Sequence, residues 1–169
     1  PPILMVGFNR RFSPLIIKTK ELLTRLTGEK AVIITINAGH VPSDHWVHDQ
    51  TIGGGRIIGE ACHFVDLLRY LVDAKFSRWE RFDMKCFNKD TATLQFSFED
   101  GSIGTVHYLA NGNRGFPKER IEVFVGGAII KIDNFKTLRA YGVPGFSKMR
   151  IFRQDKGQKS CVRAFVDAI

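Results

Sequence analysis

Residues 91–110 read TATLQFSFEDGSIGTVHYLA, and this stretch decides the fold. Two runs in which apolar and polar residues alternate flank Glu99-Asp100-Gly101-Ser102. Alternation with period two is the pattern of a strand with one face buried, and Asp-Gly between two such runs marks a tight hairpin. Similar runs follow. RIEVFVGG and AIIKID predict a second hairpin around Gly126-Gly127, TLRAYG and MRIFRQ two more short strands, and RWERFDMKCF (78–87) a strand before the first hairpin.

Upstream, Ile3–Phe8 reads as a buried strand. Ser13-Pro14 reads as a helix start, with the serine hydroxyl as cap and proline at the first helical position. Leu15, Ile16, Leu22, Leu23 and Leu26 give that helix its stripe, and Gly28 ends it. KAVIITINA (30–38) is β-branched and predicts a strand; a polar loop follows from Gly39 to Thr51, then a helix from about Gly59 to Val72. A last helix starts near Gln158, with Val162, Phe165, Val166 and Ile169 on one side. Strand, helix, strand, helix, antiparallel meander and terminal helix predict an α+β fold: a mainly antiparallel, open-faced sheet with helices on one face. Strands and helices do not alternate as a complete doubly wound nucleotide fold requires.

The chain has 169 residues, 44% hydrophobic and 25% charged, the balance of a folded domain rather than a disordered one. It carries no apolar run near the ~20 residues of a membrane-spanning helix, no initiating methionine and no secretory leader pattern. It opens on Pro1-Pro2-Ile3 and stops within a helical pattern, which predicts a piece of a longer protein. Three cysteines, far apart and without a CxxC pair, predict a reducing, cytoplasmic setting without disulfides. Net charge is +8, but Lys and Arg are scattered along the length, which weighs against a nucleic-acid module and leaves anionic small molecules or an acidic partner to match them.

The stretch GGGRIIGEACHFVDLLRYL (53–71) carries ionisable groups in the first turns of an otherwise apolar helix. Helical spacing sets Gly59, His63 and Asp66 on one face, distinct from an aliphatic line through Ile58, Cys62, Val65 and Leu68. There Asp66 would fix the tautomer of His63 and raise its basicity, as a general acid/base needs; a half-exposed core histidine with a capping glutamate gives the same pattern. The loop HVPSDHWVHD (40–49) offers Trp46 as an apolar platform and His48 and Asp49 as hydrogen-bonding groups, a mix suited to a sugar ring; its histidines lack strict metal-ligand spacing, and no metal site is expected. YLANGNRGFPKER (108–120) groups Asn111, Asn113, Arg114 and Lys118, either a polar hairpin loop or a grip for an anion. The chain has no glycosidase carboxylate pair, no GxSxG, no phosphate-binding GxxxxGK[ST], and Gly53-Gly54-Gly55 is not the dinucleotide fingerprint.

VGFNRRFSP, the tryptophan-bearing loop before GGG, and the helix with His63-x-x-Asp66 together resemble the C-terminal domain of the glucose–fructose oxidoreductase / inositol dehydrogenase family. The likeness extends over nearly the whole chain. It is nearest to two-part oxidoreductases that join an alcohol-dehydrogenase-like half to such a domain. The resemblance implies residues 1–12 as the last strand and linker of an N-terminal Rossmann domain not contained in this chain, and residues 13–169 as the substrate-binding and oligomerisation domain. It implies hydride transfer between NAD or NADP, bound by the full-length protein and not by this piece alone, and a hydroxyl of a sugar, nucleotide-sugar or cyclitol. His63 would be the acid/base and Asp66 its orienting partner. Members commonly carry an aspartate four residues before the histidine; that position is Gly59 here, and Glu60 beside it could replace it. Asn9 and Arg10 would lie near the nicotinamide, and Trp46, His48, Arg56, Asn111, Arg114 and Lys118 would bind substrate. The family's sheets pair through their open face, which implies a homodimer using Phe96, Phe98, Tyr108 and Phe124. The alternative is a non-catalytic ligand-binding or scaffold domain that has lost part of the family's site.

Overall fold

The structure is a computed structural model that describes residues 3–42, 44–49, 51–52, 54–86 and 90–169. Gly53 and Phe87, which enter two of the motifs above, lie outside the described residues. Helix α1 spans Pro14–Leu23, α2 Cys62–Val72 and α3 Gln158–Val166. The strands are β1 (Ala31–Asn37), β2 (Phe76–Asp83), β3 (Ala92–Phe98), β4 (Ile103–Leu109), β5 (Glu119–Val125), β6 (Ala128–Asp133), β7 (Thr137–Tyr141) and β8 (Lys148–Arg150). They form one eight-stranded sheet in the order β2-β3-β4-β1-β5-β6-β7-β8.

The hairpin of 91–110 forms as its sequence predicts. Gly101 takes φ +86° and Asp100 accepts from the Ser102 amide at 3.0 Å. Gly126 and Gly127 both have positive φ, the requirement of the two-residue turn whose twist matches its strands. The meander is interrupted, however. β1 lies between β4 and β5, parallel to the first and antiparallel to the second.

Register sorts the side chains into two faces. Val32, Ile34 and Ile36 share rows with Gly104, Val106 and Tyr108 and with Val123, Ile121 and Glu119. Phe96 joins the same set through Gly104. This face is covered by α1 and α2 and holds the core with Leu15, Leu22, Phe64, Leu67 and Leu71, each buried side chain contributing about 1.5–3 kcal/mol. Phe124, one residue past Val123, falls on the other face. Of the four residues expected on the open face, only Phe124 is there, 37% exposed, while Phe96, Phe98 and Tyr108 are buried beneath the helices. Period two gives alternation; only the pairing register says which set is inward.

Three further expectations change. Ile3–Phe8 forms no strand; Ile3, Leu4 and Val6 are exposed, because the run has no neighbouring strand to bond. The Ser13 hydroxyl does not cap α1 but donates to the Asp155 carbonyl at 2.8 Å. The α3 side bearing Val162, Val166 and Ile169 is exposed, and Cys161 is the residue that faces inward.

Candidate functional site

Four of the polar residues singled out above, Arg56, Glu60, Arg114 and Lys118, gather about the end of β1 that carries Ile36 and Asn37. Gly54 and Gly55 have φ +64° and +81°, a left-handed backbone that side chains disfavour. The chain then enters a π-helical turn, Ile57–Ala61, before α2. That wider turn, a feature frequent at functional sites, shifts the phase of the pattern. The core stripe of α2 is Phe64, Leu67, Leu68, Leu71 and Val72. Of the aliphatic line Ile58, Cys62, Val65 and Leu68, Leu68 is in the core and Val65 packs against it, while Ile58, Cys62 and Val65 also line a 450 Å³ apolar cleft with Phe8, Phe76 and Leu94.

Glu60 sits on the π turn and reaches into the sheet. Tyr108 donates its hydroxyl to Oε2 at 2.5 Å, and Lys118 donates from Nζ to Oε1 at 2.5 Å. Burial alone would raise the carboxyl, but the bonds from Lys118 and Tyr108 outweigh it and hold the group below its ordinary value. Burial and the adjacent carboxylate push the Tyr108 hydroxyl far upward. Lys118, expected at substrate, is thus the counter-ion of Glu60.

His63 is half-buried, with the Phe8 ring edge-on at 5.5 Å between centroids. Its Nδ1 is buried without a hydrogen-bond partner. Burial and then Arg10 push the imidazole below its ordinary value, opposed by Glu60, Asp66 and Glu119. The ring is therefore neutral at neutral pH. Asp66 does not hold it: Arg11 takes both Asp66 oxygens, Nε to Oδ2 at 2.6 Å and Nη2 to Oδ1 at 2.5 Å. The fork of a guanidinium matches a carboxylate better than one imidazole nitrogen does.

Arg56, expected to meet substrate, is 6% exposed. It donates to the Gly39 carbonyl at 2.7 Å and the Ala38 carbonyl at 3.0 Å, closing the end of β1 from below. Asn9 donates to the Lys156 carbonyl at 2.7 Å, and Arg10, 7% exposed, donates to Glu119 Oε1 at 2.9 Å. Both make bonds inside the chain, and the Arg10 Nε is buried without a hydrogen-bond partner.

Trp46, 60% exposed, and His48 lie on a 3-10 turn, Trp46–His48, with the Trp46 ring 5.5 Å from that of His45. Asp49 accepts from Thr51 and Ile52 within its own loop. Arg114 donates to the His40 carbonyl at 2.5 Å and ties this loop to the 110–118 loop. Asn111 points elsewhere, into a 200 Å³ pocket with His40, Met84, Cys86 and Asp90. Among the described residues no three His, Cys, Asp or Glu side chains are gathered to hold a metal ion, and no helix is long and apolar enough to cross a membrane. Glu119 and Lys156, which stand behind Arg10, were not singled out: Glu119 lies within YLANGNRGFPKER, where nothing local marks it as buried, and Lys156 stands in a loop without a motif.

No family model and no curated protein matches the sequence. Solved structures match the fold. Levoglucosan dehydrogenase in complex with NADH and levoglucosan superposes with a TM-score of 0.78 at 17% identity, over 95% of this chain and 54% of that one. Aldose-aldose oxidoreductase from Caulobacter crescentus, complexed with glycerol, gives 0.75 at 17% identity, over 98% and 54%. The super-repressor mutant of Gal80p from Saccharomyces cerevisiae gives 0.77 at 16% identity, over 97% and 50%. The chain spans about half the length of the structures it matches. At these identities the likeness establishes the fold alone, one that these structures share with this chain over about half of their own length.

Proposed function

We propose that this chain is the substrate-binding and dimerisation domain of a cytoplasmic, nicotinamide-dependent oxidoreductase acting on a sugar, nucleotide-sugar or cyclitol hydroxyl, inactive without its dinucleotide-binding half. The observation that carries the reading is His63: an imidazole kept neutral by burial and Arg10, with an unpartnered Nδ1, among Glu60, Asp66 and Glu119. A neutral imidazole can take the proton from a hydroxyl as its carbon is oxidised, and return it in the reverse direction. The hydride acceptor is held by the other half of the protein, with Asn9 and Arg10 on the segment that would approach the nicotinamide. Glu60 supplies negative charge that favours the imidazolium formed during proton transfer, while Lys118 and Tyr108 keep it ionised. Asp66 adds charge from its Arg11 pair. Trp46 and His48 offer a face to a sugar ring, and Arg114 fixes the loop that carries them.

The test is hydride transfer by this chain joined to a dinucleotide-binding half, followed by cofactor absorbance with a panel of polyols and aldoses. His63→Ala is expected to lower kcat by 10²-fold or more. An unchanged rate removes the mechanism.

A second reading, a ligand-binding or scaffold domain without turnover, is favoured by Gly59, which leaves the family aspartate's place without a carboxylate, and by the engagement of Glu60 with Lys118. It predicts saturable sugar binding with no hydride transfer in the joined protein.

A further inference from the structure

Glu119 opens β5 with its side chain wholly inaccessible; Arg10 donates from Nη2 to Oε1 at 2.9 Å, and Lys156 Nζ stands 2.7 Å from Oε2 as an ion pair without hydrogen-bond geometry, leaving Oε2 held by charge alone. The three come from the first turn, the sheet and the segment before α3. Buried charges persist only when paired, so Arg10 keeps its place because Glu119 does. That place bears on His63. The Arg10 guanidinium lies over the Phe64 ring, 4.2 Å from its centroid, and Phe64 is His63's neighbour. Phe8, two residues before Arg10, is the ring set edge-on against His63. The Lys156 end is equally fixed. Asn9 Nδ2 and Ser13 Oγ donate to the carbonyls of Lys156 and Asp155, and a Cβ on Gly157 would stand 2.4 Å from the Asn9 carbonyl oxygen.

We propose that Glu119 is a positioning residue for His63: by clamping Arg10 on one oxygen and Lys156 on the other, it fixes the Phe8–Arg10 segment against the imidazole and sets the charge that the ring meets. Its use in catalysis rests on the reading of His63 above; the clamp itself does not. The charged groups that act on the ring are Arg10 from the 3-10 turn Asn9–Phe12, Glu119 from β5, and Glu60 and Asp66 from the π turn and α2, with the Cys62 thiol adjacent and Lys156 behind Glu119, where it offsets that carboxylate. The Arg10–Glu119–Lys156 group carries net charge +1. Removing the carboxylate makes it +2 and disfavours the imidazolium; removing the lysine makes it neutral and favours it.

The experiment follows the His63 ring by two-dimensional proton–nitrogen NMR across pH, in this chain without cofactor or sugar, for the unaltered protein, Glu119→Gln and Lys156→Met. Glu119→Gln is expected to titrate at lower pH than the unaltered chain and, in a parallel nuclear Overhauser spectrum, to lose the Phe8–His63 ring contact. Lys156→Met is expected to titrate at higher pH. Midpoints that coincide with the unaltered protein, or move in the same direction in both variants, overturn the proposal. If Glu119→Gln does not fold, Lys156→Met decides alone: an upward displacement supports the clamp and none overturns it. Because no turnover is measured, failure of the hydride-transfer assay and failure of the clamp are read separately.

Discussion

Tyr108 donates its hydroxyl to Glu60 Oε2 at 2.5 Å from a side chain that is itself fully buried. The bond joins β4 to the π turn and holds the Glu60 carboxylate in place beside Gly59. Tyr108→Phe removes the donor and keeps the ring. A hydrogen bond to a charged acceptor contributes about 1.5–3 kcal/mol, and Lys118 remains, so a loss of about 1–2 kcal/mol in denaturant unfolding is expected. The Glu60 carboxyl should rise toward its ordinary value, since the Tyr108 bond is one of the contacts that lowers it. Carbon-detected NMR titration of Glu60 checks the direction.

The strand pattern made the two hairpins legible, because Asp100-Gly101 and Gly126-Gly127 are local signals that need no distant partner. Insertion of β1 between β4 and β5 was not legible, since nothing in KAVIITINA says which strand it will pair with. The inward turn of Tyr108 follows from that insertion: Ile36 fixes the row in which Tyr108 and Glu119 both lie. At the candidate site, several side-chain partnerships were not legible. Helical spacing set Asp66 near His63 but could not reveal that Arg11, 55 residues away in sequence, would take both its oxygens. The bonds of Arg56 to the Ala38 and Gly39 carbonyls were not legible either, because backbone acceptors have no signature in the side-chain sequence.

Acid should destabilise the fold in two windows. The folded His63 value lies below the ordinary 6.5, so below that pH the unfolded chain binds a proton that the folded one resists. Stability is full above about pH 6.5 and falls as pH drops toward the folded value. Glu60 is also lowered, from 4.5; its contribution is present above that pH and is lost as pH falls through the folded value. Melting temperatures measured from pH 8 to 3 should decline in both ranges. His63→Gln should flatten the upper decline and leave the lower one. An unaltered upper decline would mean that another group is responsible.

Gly157 has φ +82°, and a Cβ there would lie 2.4 Å from the Asn9 carbonyl oxygen and 2.5 Å from the Phe12 carbonyl carbon. Neither neighbour is a flexible side-chain end. Gly157→Ala combines left-handed backbone strain with overpacking, for a cost of about 2–4 kcal/mol. The expected result is early amide exchange in α3, with the amides of β1 and β4 still protected, because α3 touches the fold mainly through the first turn. Uniform loss of protection would place α3 within the cooperative core instead.

The open sheet face bears a continuous apolar row in register, Ile103, Ala31, Phe124, Ile129 and Tyr141. Phe124, Ile103 and Tyr141 are 37%, 58% and 53% exposed. The adjoining row carries Glu122, Lys131, Arg139 and Lys148, so the apolar strip is bordered by charge as an interface core is by its rim. We therefore expect the proposed homodimer to form through Phe124 and Tyr141, not through Phe96, Phe98 or Tyr108. Burying a Phe side chain contributes about 1.5–3 kcal/mol, so Phe124→Glu, which also buries a charge, should weaken self-association at least ten-fold. The melting temperature at low protein concentration should hardly move, since Phe124 takes no part in the helix-covered core. Sedimentation velocity over a hundred-fold range of concentration separates the outcomes. A chain that sediments as a monomer throughout, or a Phe124→Glu variant that dimerises as tightly as the unaltered protein, rules this face out.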